Sequence, residues 1–213
     1  RLIDARQAQH RATASRIGGA DTGAGPTHWF ESFTAVNSQP WFIVDPPDGR
    51  IPALTPAAQR REAAIARLND ARNGEGLADS WVDRSMWDRC ITRGLPGSMM
   101  PNIYGNAYQI LQTPGYVAIR YEMVHDTRII PLDGRPHLGE GIREYFGDAR
   151  GRWEGHTLVV ESTNFTDRSH MGYNNQYNSR AFRLTERFTP IAADRLYWEV
   201  TVDDPETWTR PWT

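Results

Sequence analysis

The sequence predicts a mainly β protein whose strands form an antiparallel meander, closed into a barrel or a strongly curved sheet of calycin-like shape. Two observations support this fold class. From residue 106 onward, short segments alternate apolar and polar residues, as half-buried strands do. The connections between these segments are short and contain turn sequences such as TPG, DG and AAD, which suit hairpins better than long crossovers. An N-terminal arm and two helices are expected before the β domain.

These patterns divide the chain into three regions. Residues 1–45 form an N-terminal helix, a glycine-rich break and an aromatic arm, residues 46–95 a helical segment, and residues 96–213 the antiparallel β domain. In the arm, a helix is expected over residues 1–17 and a strand over Trp41–Val44. A length of 213 residues fits one domain with extensions.

Two helices are expected in the second region. Thr55 followed by Pro56 provides a hydroxyl N-cap and a proline at the first helical position, so a helix should begin there and run to about residue 72. The next helix should open near Asp79 or Ser80 and end at Gly94, which interrupts helices readily.

Six segments of the third region have the composition and alternation of strands. They are Ala107–Thr113, Tyr116–Val124, Arg128–Leu132, Thr157–Asn164, Phe182–Thr189 and Arg195–Val202.

Composition excludes several classes of function. A net charge of -2 and a pI near 6.3 provide no large basic field, so nucleic acid is not expected as a partner. No run of 18 apolar residues is present, and the chain is expected to have no transmembrane segment of its own. All 24 basic residues are arginine, which excludes lysine chemistry and leaves guanidinium groups as the permanent cations. Cys90 is the single cysteine, so no internal disulfide can form.

His125 is the first candidate catalytic residue. In the strand that starts at Tyr116, the odd positions through Met123 are apolar or aromatic, and His125 continues that row. Side chains alternate between the two faces of a strand, so His125 is expected to point inward. Two interpretations stay open: a core histidine bonded to a carbonyl, or a partly desolvated imidazole that moves a proton in a pocket.

Glu186 and Tyr121 complete the candidate catalytic set. Phe182, Leu184, Glu186 and Phe188 form a second alternating row, which turns the carboxylate inward among apolar neighbours. A buried carboxylate is costly unless it is paired or protonated. If Glu186 and His125 face one cavity, they form an acid–base pair, with Tyr121 adding a hydroxyl.

Four further residues are candidate ligand-binding groups. Asp126 and Arg128 are expected on the strand face opposite His125, where they bind a ligand or form a cross-strand ion pair. Arg135 and His137 flank a proline on an irregular segment, the kind of loop that holds binding groups at the mouth of a barrel. The arginines would hold an anionic or carbonyl group.

No metal site is expected. His125, His137, Glu154 and His156 are spaced unlike any compact set of metal ligands. The sequence identifies no cofactor.

Several segments together resemble a family of secreted bacterial proteins that is abundant in soil bacteria. The resemblance covers about residues 41–213 and is strongest at VDPPDGRIP, QTPGYV, HDTRIIPLDGRPH, WEGHTLVVESTNF and VTVDDPETWTRPWT. It implies export through a cleaved signal, and therefore a periplasmic or cell-surface location. It implies no particular activity.

Two hypotheses about function follow. In the first, an exported β-barrel binds or acts on a small, largely apolar ligand, with the inward histidine as acid or base. In the second, the protein is a non-catalytic accessory subunit that packs its arm, with Trp29, Phe30 and Trp41, against a larger, membrane-bound assembly. Whether the interior of the β domain is open or filled by side chains discriminates between them.

Overall fold

The computed structural model describes residues 42–71, 79–101, 105–171 and 178–213. The predictions for residues 1–41, including the first helix and the docking of the arm, lie outside the described residues. Phe42–Val44 does not form the predicted strand. Instead, the N–H groups of Val44 and Asp45 donate to the carbonyl of Thr213 at 2.9 and 3.2 Å, which places this segment beside the end of the chain.

Among its described residues, the helical region contains one α-helix, α1 (Pro56–Ala71), as its N-terminal signals predict. Thr55 caps it, because its Oγ1 accepts a hydrogen bond from the N–H of Ala58 at 3.1 Å. No helix of the described residues is long and apolar enough to cross a membrane.

The second predicted helix, over residues 79–94, is not found; a 3₁₀ helix (Trp81–Asp83) and turns occupy the segment. Side chains compete with helical hydrogen bonds here: Asp83 accepts from the N–H of Ser80 at 2.9 Å, and Asp88 accepts from the hydroxyl of Ser85 at 2.9 Å. Cys90 then takes a left-handed conformation, with φ of 52°. Local capping chemistry therefore replaces a continuous helix.

In the part of the chain that the structure describes, seven strands form two antiparallel sheets, ordered β1-β2-β3 and β4-β5-β6-β7. Their bounds are β1 (Tyr108–Thr113), β2 (Tyr116–Tyr121), β3 (Thr127–Pro131), β4 (Asp148–Glu154), β5 (Thr157–Thr163), β6 (Arg183–Ala192) and β7 (Arg195–Asp203). The mainly β, antiparallel prediction is confirmed, and all six predicted strands are present. The described strands do not close into a barrel.

Strand β4 is the strand that the sequence patterns missed. Its sequence, DARGRWE, contains two arginines and a glycine and lacks a clear apolar alternation. Gly151 is nevertheless required there, because a Cβ atom at this position would lie 2.6 Å from Leu132 Cδ2 and 2.8 Å from Ile130 Cγ2. The first sheet packs onto the second at this glycine.

The core lies between the inner faces of the two sheets. In the first sheet, Val117 pairs with Ile130 and Ile119 with Arg128. In the second, one inward row runs from Val160 through Glu186 to Val200 and another from Leu158 through Phe188 to Trp198. Ile130, Val160 and Glu186 are each 0% exposed, so side chains fill the space between the sheets.

Candidate functional site

An ion pair between Arg128 on β3 and Glu186 on β6 lies at the centre of this core. Arg128 Nη1 is 2.5 Å from Glu186 Oε2, and Arg128 Nη2 donates to Ser162 Oγ on β5 at 2.7 Å. On the other side, Trp198 Nε1 donates to Glu186 Oε1 at 3.3 Å. Because Arg128 and Glu186 belong to different sheets, the pair connects the two sheets through the interior.

Glu186 faces inward, as the alternation along β6 predicts, but Arg128 does not face outward. Its side chain is buried, with 4% of the residue exposed, so the prediction that Arg128 shares an outer face with Asp126 is wrong. The five residues between β2 and β3 form a turn that changes which positions face inward.

Tyr121 lies beside this pair at the end of β2 and is 2% exposed. Its ring packs edge-on against Tyr108 and obliquely against Phe146, with centroids 5.9 and 5.6 Å away. Burial raises the pKa of its hydroxyl well above the ordinary tyrosine value, and the nearby Arg128 guanidinium offsets part of that effect. The hydroxyl therefore stays protonated in the folded protein.

His125 is not an inward residue. Strand β2 ends at Tyr121, and His125 lies exposed in the following turn with φ of 58°, next to Val124 with φ of 65°. The prediction that His125 continues the apolar row is wrong, because two left-handed residues end the alternation on which it depends. The structure consequently does not bring His125 and Glu186 together.

Asp126 closes the same turn. Its carbonyl accepts a hydrogen bond from the N–H of Tyr121 at 2.9 Å, and its carboxylate accepts one from the N–H of Thr127 at 3.1 Å. Partial burial raises the pKa of this carboxyl group, and the hydrogen bond from Thr127 opposes that rise. These contacts give Asp126 a role in shaping the turn.

The guanidinium of Arg135 is already engaged by a neighbouring carboxylate. Arg135 Nε donates to the two carboxylate oxygens of Asp133 at 2.9 and 2.7 Å, and its Nη2 donates to Tyr116 Oη at 3.2 Å. The Arg135 hydrogen bonds lower the pKa of the exposed Asp133 carboxyl to about 2. Arg135 therefore offers a ligand a neutralised pair instead of a free cation.

His137 joins its irregular segment to the start of β4. Its Nδ1 lies 3.0 Å from Asp148 Oδ2, which also accepts the N–H of Leu138 at 2.8 Å. The other oxygen of Asp148 is 2.5 Å from Arg150 Nη1, and Arg150 Nε donates to the carbonyl of Pro136 at 3.1 Å. These contacts fix the position of a partly exposed imidazole at the edge of the second sheet.

A polar groove opens at the same end of the second sheet, where β4 begins, β5 ends and β6 begins. Its volume is about 450 Å³. Its lining combines three arginines with two carboxylates and two hydroxyl-bearing side chains: Gly141, Arg143, Glu144, Tyr145, Thr166, Asp167, Arg168 and Arg180.

Hydrogen bonds hold the walls of this groove together. Arg143 Nη1 donates to the carbonyls of Phe165 and Arg180 at 3.0 and 2.9 Å, so one guanidinium joins two walls. Ser169 Oγ donates to the carbonyl of Tyr145 at 2.8 Å. The groove is therefore built from connected segments of backbone.

Hydrogen bonds to the buried carboxylate of Asp204 fix the segment that carries Arg180. The carboxylate of Asp204, which is 1% exposed, accepts hydrogen bonds from the N–H of Ser179 at 2.9 Å and from its hydroxyl at 2.6 Å. The N–H of Ala181 in turn donates to Ser179 Oγ at 3.0 Å. Arg180 thus projects from an anchored stretch of chain.

No arginine of the groove has a carboxylate partner within the described residues, and Arg143 is held instead by two backbone carbonyls. Arg168 and Arg180 are exposed, and neither forms an ion pair within the part of the chain that the structure describes. Glu144 and Asp167 also line the groove, so three guanidinium groups stand against two carboxylates. The local balance favours an anion whose acceptor oxygens match guanidinium donors.

The residues 42–71, 79–101, 105–171 and 178–213 contain no group of three or more His, Cys, Asp or Glu side chains arranged to hold a metal ion. Comparisons of the chain with protein-family models, with curated proteins and with solved structures found no match.

Alternation of apolar and polar residues did not predict the groove arginines, because they stand on irregular segments without periodicity. The sequence did contain a usable signal, because Arg168 and Arg180 flank a polar stretch rich in Asn and Ser between two predicted strands. Polar connections between strands often carry binding groups.

Proposed function

We propose that this protein is an exported binding protein that holds a small anionic group, a carboxylate or a phosphate, in the groove at the end of its second sheet. The observation that carries the proposal is the pair of exposed guanidinium groups, Arg168 and Arg180, which have no carboxylate partner within the described residues and stand on a hydrogen-bonded framework. Hydrogen bonds hold the backbone that carries these two side chains, so the conformational freedom lost on binding is mainly that of the side chains themselves. Export is proposed from the family resemblance.

The sequence predicted a ligand in the interior of the β domain, whereas we place the ligand in a groove at the surface. An apolar ligand between the sheets would have to displace side chains such as Ile130, Val160 and Glu186, each 0% exposed. The groove instead offers polar and charged contacts. We keep as a proposal that the strands close into a barrel of calycin-like shape, as the sequence predicts.

Binding is favoured over catalysis by the chemistry of the lining. Among the described residues, the groove lining includes no histidine or cysteine, and it places no imidazole beside the hydroxyls of Tyr145 and Thr166. Nucleophilic catalysis by a hydroxyl requires an adjacent base. Holding an anion requires only donors in fixed positions.

Isothermal titration calorimetry with inorganic phosphate, succinate and citrate at low ionic strength tests this function. We expect at least one of these anions to bind wild-type protein and the affinity to fall by about 10-fold or more in Arg168→Ala/Arg180→Ala, since hydrogen bonds to charged groups contribute roughly 1.5–3 kcal/mol. Arg183→Ala is the matched control, because Arg183 is exposed and lies outside the groove lining. Equal affinities in wild type and the double variant would reject the groove as the site.

An accessory subunit is the second candidate function. Register places Leu111, Ala118 and Ile129 in one row across the outer face of the first sheet, and Leu111 and Ile129 are 49% and 53% exposed. Exposed apolar rows of this kind suit contact with another protein. The hypothesis predicts that the protein copurifies with a larger assembly from its host and that Ile129→Glu abolishes copurification without changing anion binding.

A further inference from the structure

Among the described strands, β1 is an outer edge of the first sheet, and its sequence lacks the usual protection of an edge strand. Gln109–Thr113 are all exposed, and the strand contains no charged residue and no proline. Its pairing with β2 runs without a bulge from Tyr108 to Thr113. Natural edge strands normally carry charges, prolines or bulges that prevent pairing with another chain.

The free backbone groups of β1 can be identified from the hydrogen-bond pattern. The N–H of Glu122 donates to the carbonyl of Ala107 at 3.1 Å, and Ala107 stands opposite Glu122 when the register of β1 and β2 is extended. Hydrogen-bonded pairs alternate along an antiparallel ladder, so Gln109 and Leu111 bond to β2. Tyr108, Ile110 and Gln112 therefore direct their N–H and C=O groups away from the sheet. They have no backbone partner within the described residues.

The outer edge of the second sheet, β7, shows the contrast. It carries Arg195, Glu199 and Asp203, and its far end is covered by Trp212. Val202 and Trp212 exchange two backbone hydrogen bonds of 2.8 and 3.0 Å. Of these two edge strands, β7 is charged and partly covered, whereas β1 is uncharged and exposed among the described residues.

We infer that β1 pairs antiparallel with β1 of a second copy of this chain, so that two three-stranded sheets become one continuous sheet. An uncharged strand provides no electrostatic selection for a charged peptide and opposes no like charges when it meets itself. Centred on Ile110, the two-fold arrangement sets Tyr108 opposite Gln112 of the second copy and gives every outward N–H and C=O of these residues a partner. It also brings together the two Ile110 side chains, each 43% exposed in one copy.

Light scattering coupled to size-exclusion chromatography of the full chain tests the inference. Wild type is expected at twice the chain mass. Ile110→Pro and Gln112→Pro are expected at the chain mass, because each removes an N–H that points away from β2 and is not used within one copy. Ile110→Thr, which keeps the N–H and a β-branched side chain, is the control and should remain a dimer.

A wild-type protein at the chain mass overturns the inference. Hydrogen exchange then identifies the occupant, since protected amides at Tyr108, Ile110 and Gln112 in a monomer would show that another segment of the same chain covers the edge. The inference is also overturned if both proline variants fold and remain dimers. Should one proline variant fail to fold by circular dichroism, the other decides the outcome.

Discussion

Arginine occupies two opposite environments in this molecule. In the core, Arg128 is 4% exposed and its Nη1 lies 2.5 Å from a carboxylate oxygen of Glu186. In the groove, Arg168 and Arg180 are exposed, and no ion pair with a described carboxylate neutralises them. The same side chain therefore holds two sheets together in one place and is available to a ligand in the other. The contrast shows that the surroundings of an arginine, more than its residue type, decide whether its charge is paired inside the fold or exposed at the surface.

The two environments also differ in energetics. A buried charge loses its hydration, and only a close partner compensates for that loss, so neither member of the core pair can be removed alone without penalty. An exposed guanidinium keeps its water and costs little to remove from the folded protein. Substitutions should therefore affect stability in the core and ligand affinity in the groove.

The largest expected effect comes from leaving Arg128 without its carboxylate. Glu186→Ala should lower the free energy of unfolding by about 3–5 kcal/mol, because an uncompensated buried charge remains. Urea unfolding followed by circular dichroism measures the loss. Arg128→Met/Glu186→Leu should recover most of it, since apolar side chains of similar size replace the pair. If Glu186→Ala is as stable as wild type, the charges of the ion pair keep their hydration in the folded protein.

The burial of the Tyr121 hydroxyl can be tested by measuring stability at alkaline pH. Burial raises its pKa above the ordinary value of 10.0, so the folded state favours the protonated hydroxyl. Its contribution to stability is complete below pH 10.0 and is lost as the pH rises further, because the unfolded state then releases a proton that the folded state keeps. Urea midpoints measured on both sides of that pH should decline less steeply for Tyr121→Phe than for wild type. Parallel declines would place the hydroxyl in contact with solvent.

The smallest effect is expected at the turn between β2 and β3. His125 is exposed and has no contact with the ion pair, so His125→Gln should change the free energy of unfolding by less than about 0.5 kcal/mol. Anion affinity in the groove should also stay at the wild-type value. A 10-fold loss of affinity in this variant would restore His125 as a functional residue.

Alternation predicted the parts of the fold in which one face of a strand is buried. It located six strands and turned Glu186 inward, because these properties depend on neighbours within the same strand. Alternation did not predict strand β4. Gly151 allows this strand to pack closely against the other sheet, and a contact between residues distant in sequence leaves no local pattern.

Local sequence patterns could not predict the orientation of Arg128 or the position of the groove either. Inward positions on β3 depend on its register with β2, in which Ile119 pairs with Arg128, and the intervening turn sets that register. The groove depends on three irregular segments meeting at one end of a sheet. Its arginines could have been identified as loop residues, but their convergence follows from the topology alone.

We propose that Arg168 and Arg180, which have no carboxylate partner within the described residues, bind the ligand, and that Arg128, which is paired with Glu186, stabilises the fold. Titrating two variants with inorganic phosphate, succinate and citrate by isothermal calorimetry, alongside wild type, tests it most directly. The groove variant, Arg168→Ala/Arg180→Ala, should unfold at the wild-type urea midpoint and lose about 10-fold or more in affinity for the anion that wild type binds best. The core variant, Arg128→Met/Glu186→Leu, should keep that affinity. Absence of binding for all three anions in wild type, or loss of affinity in the core variant alone, would contradict the account.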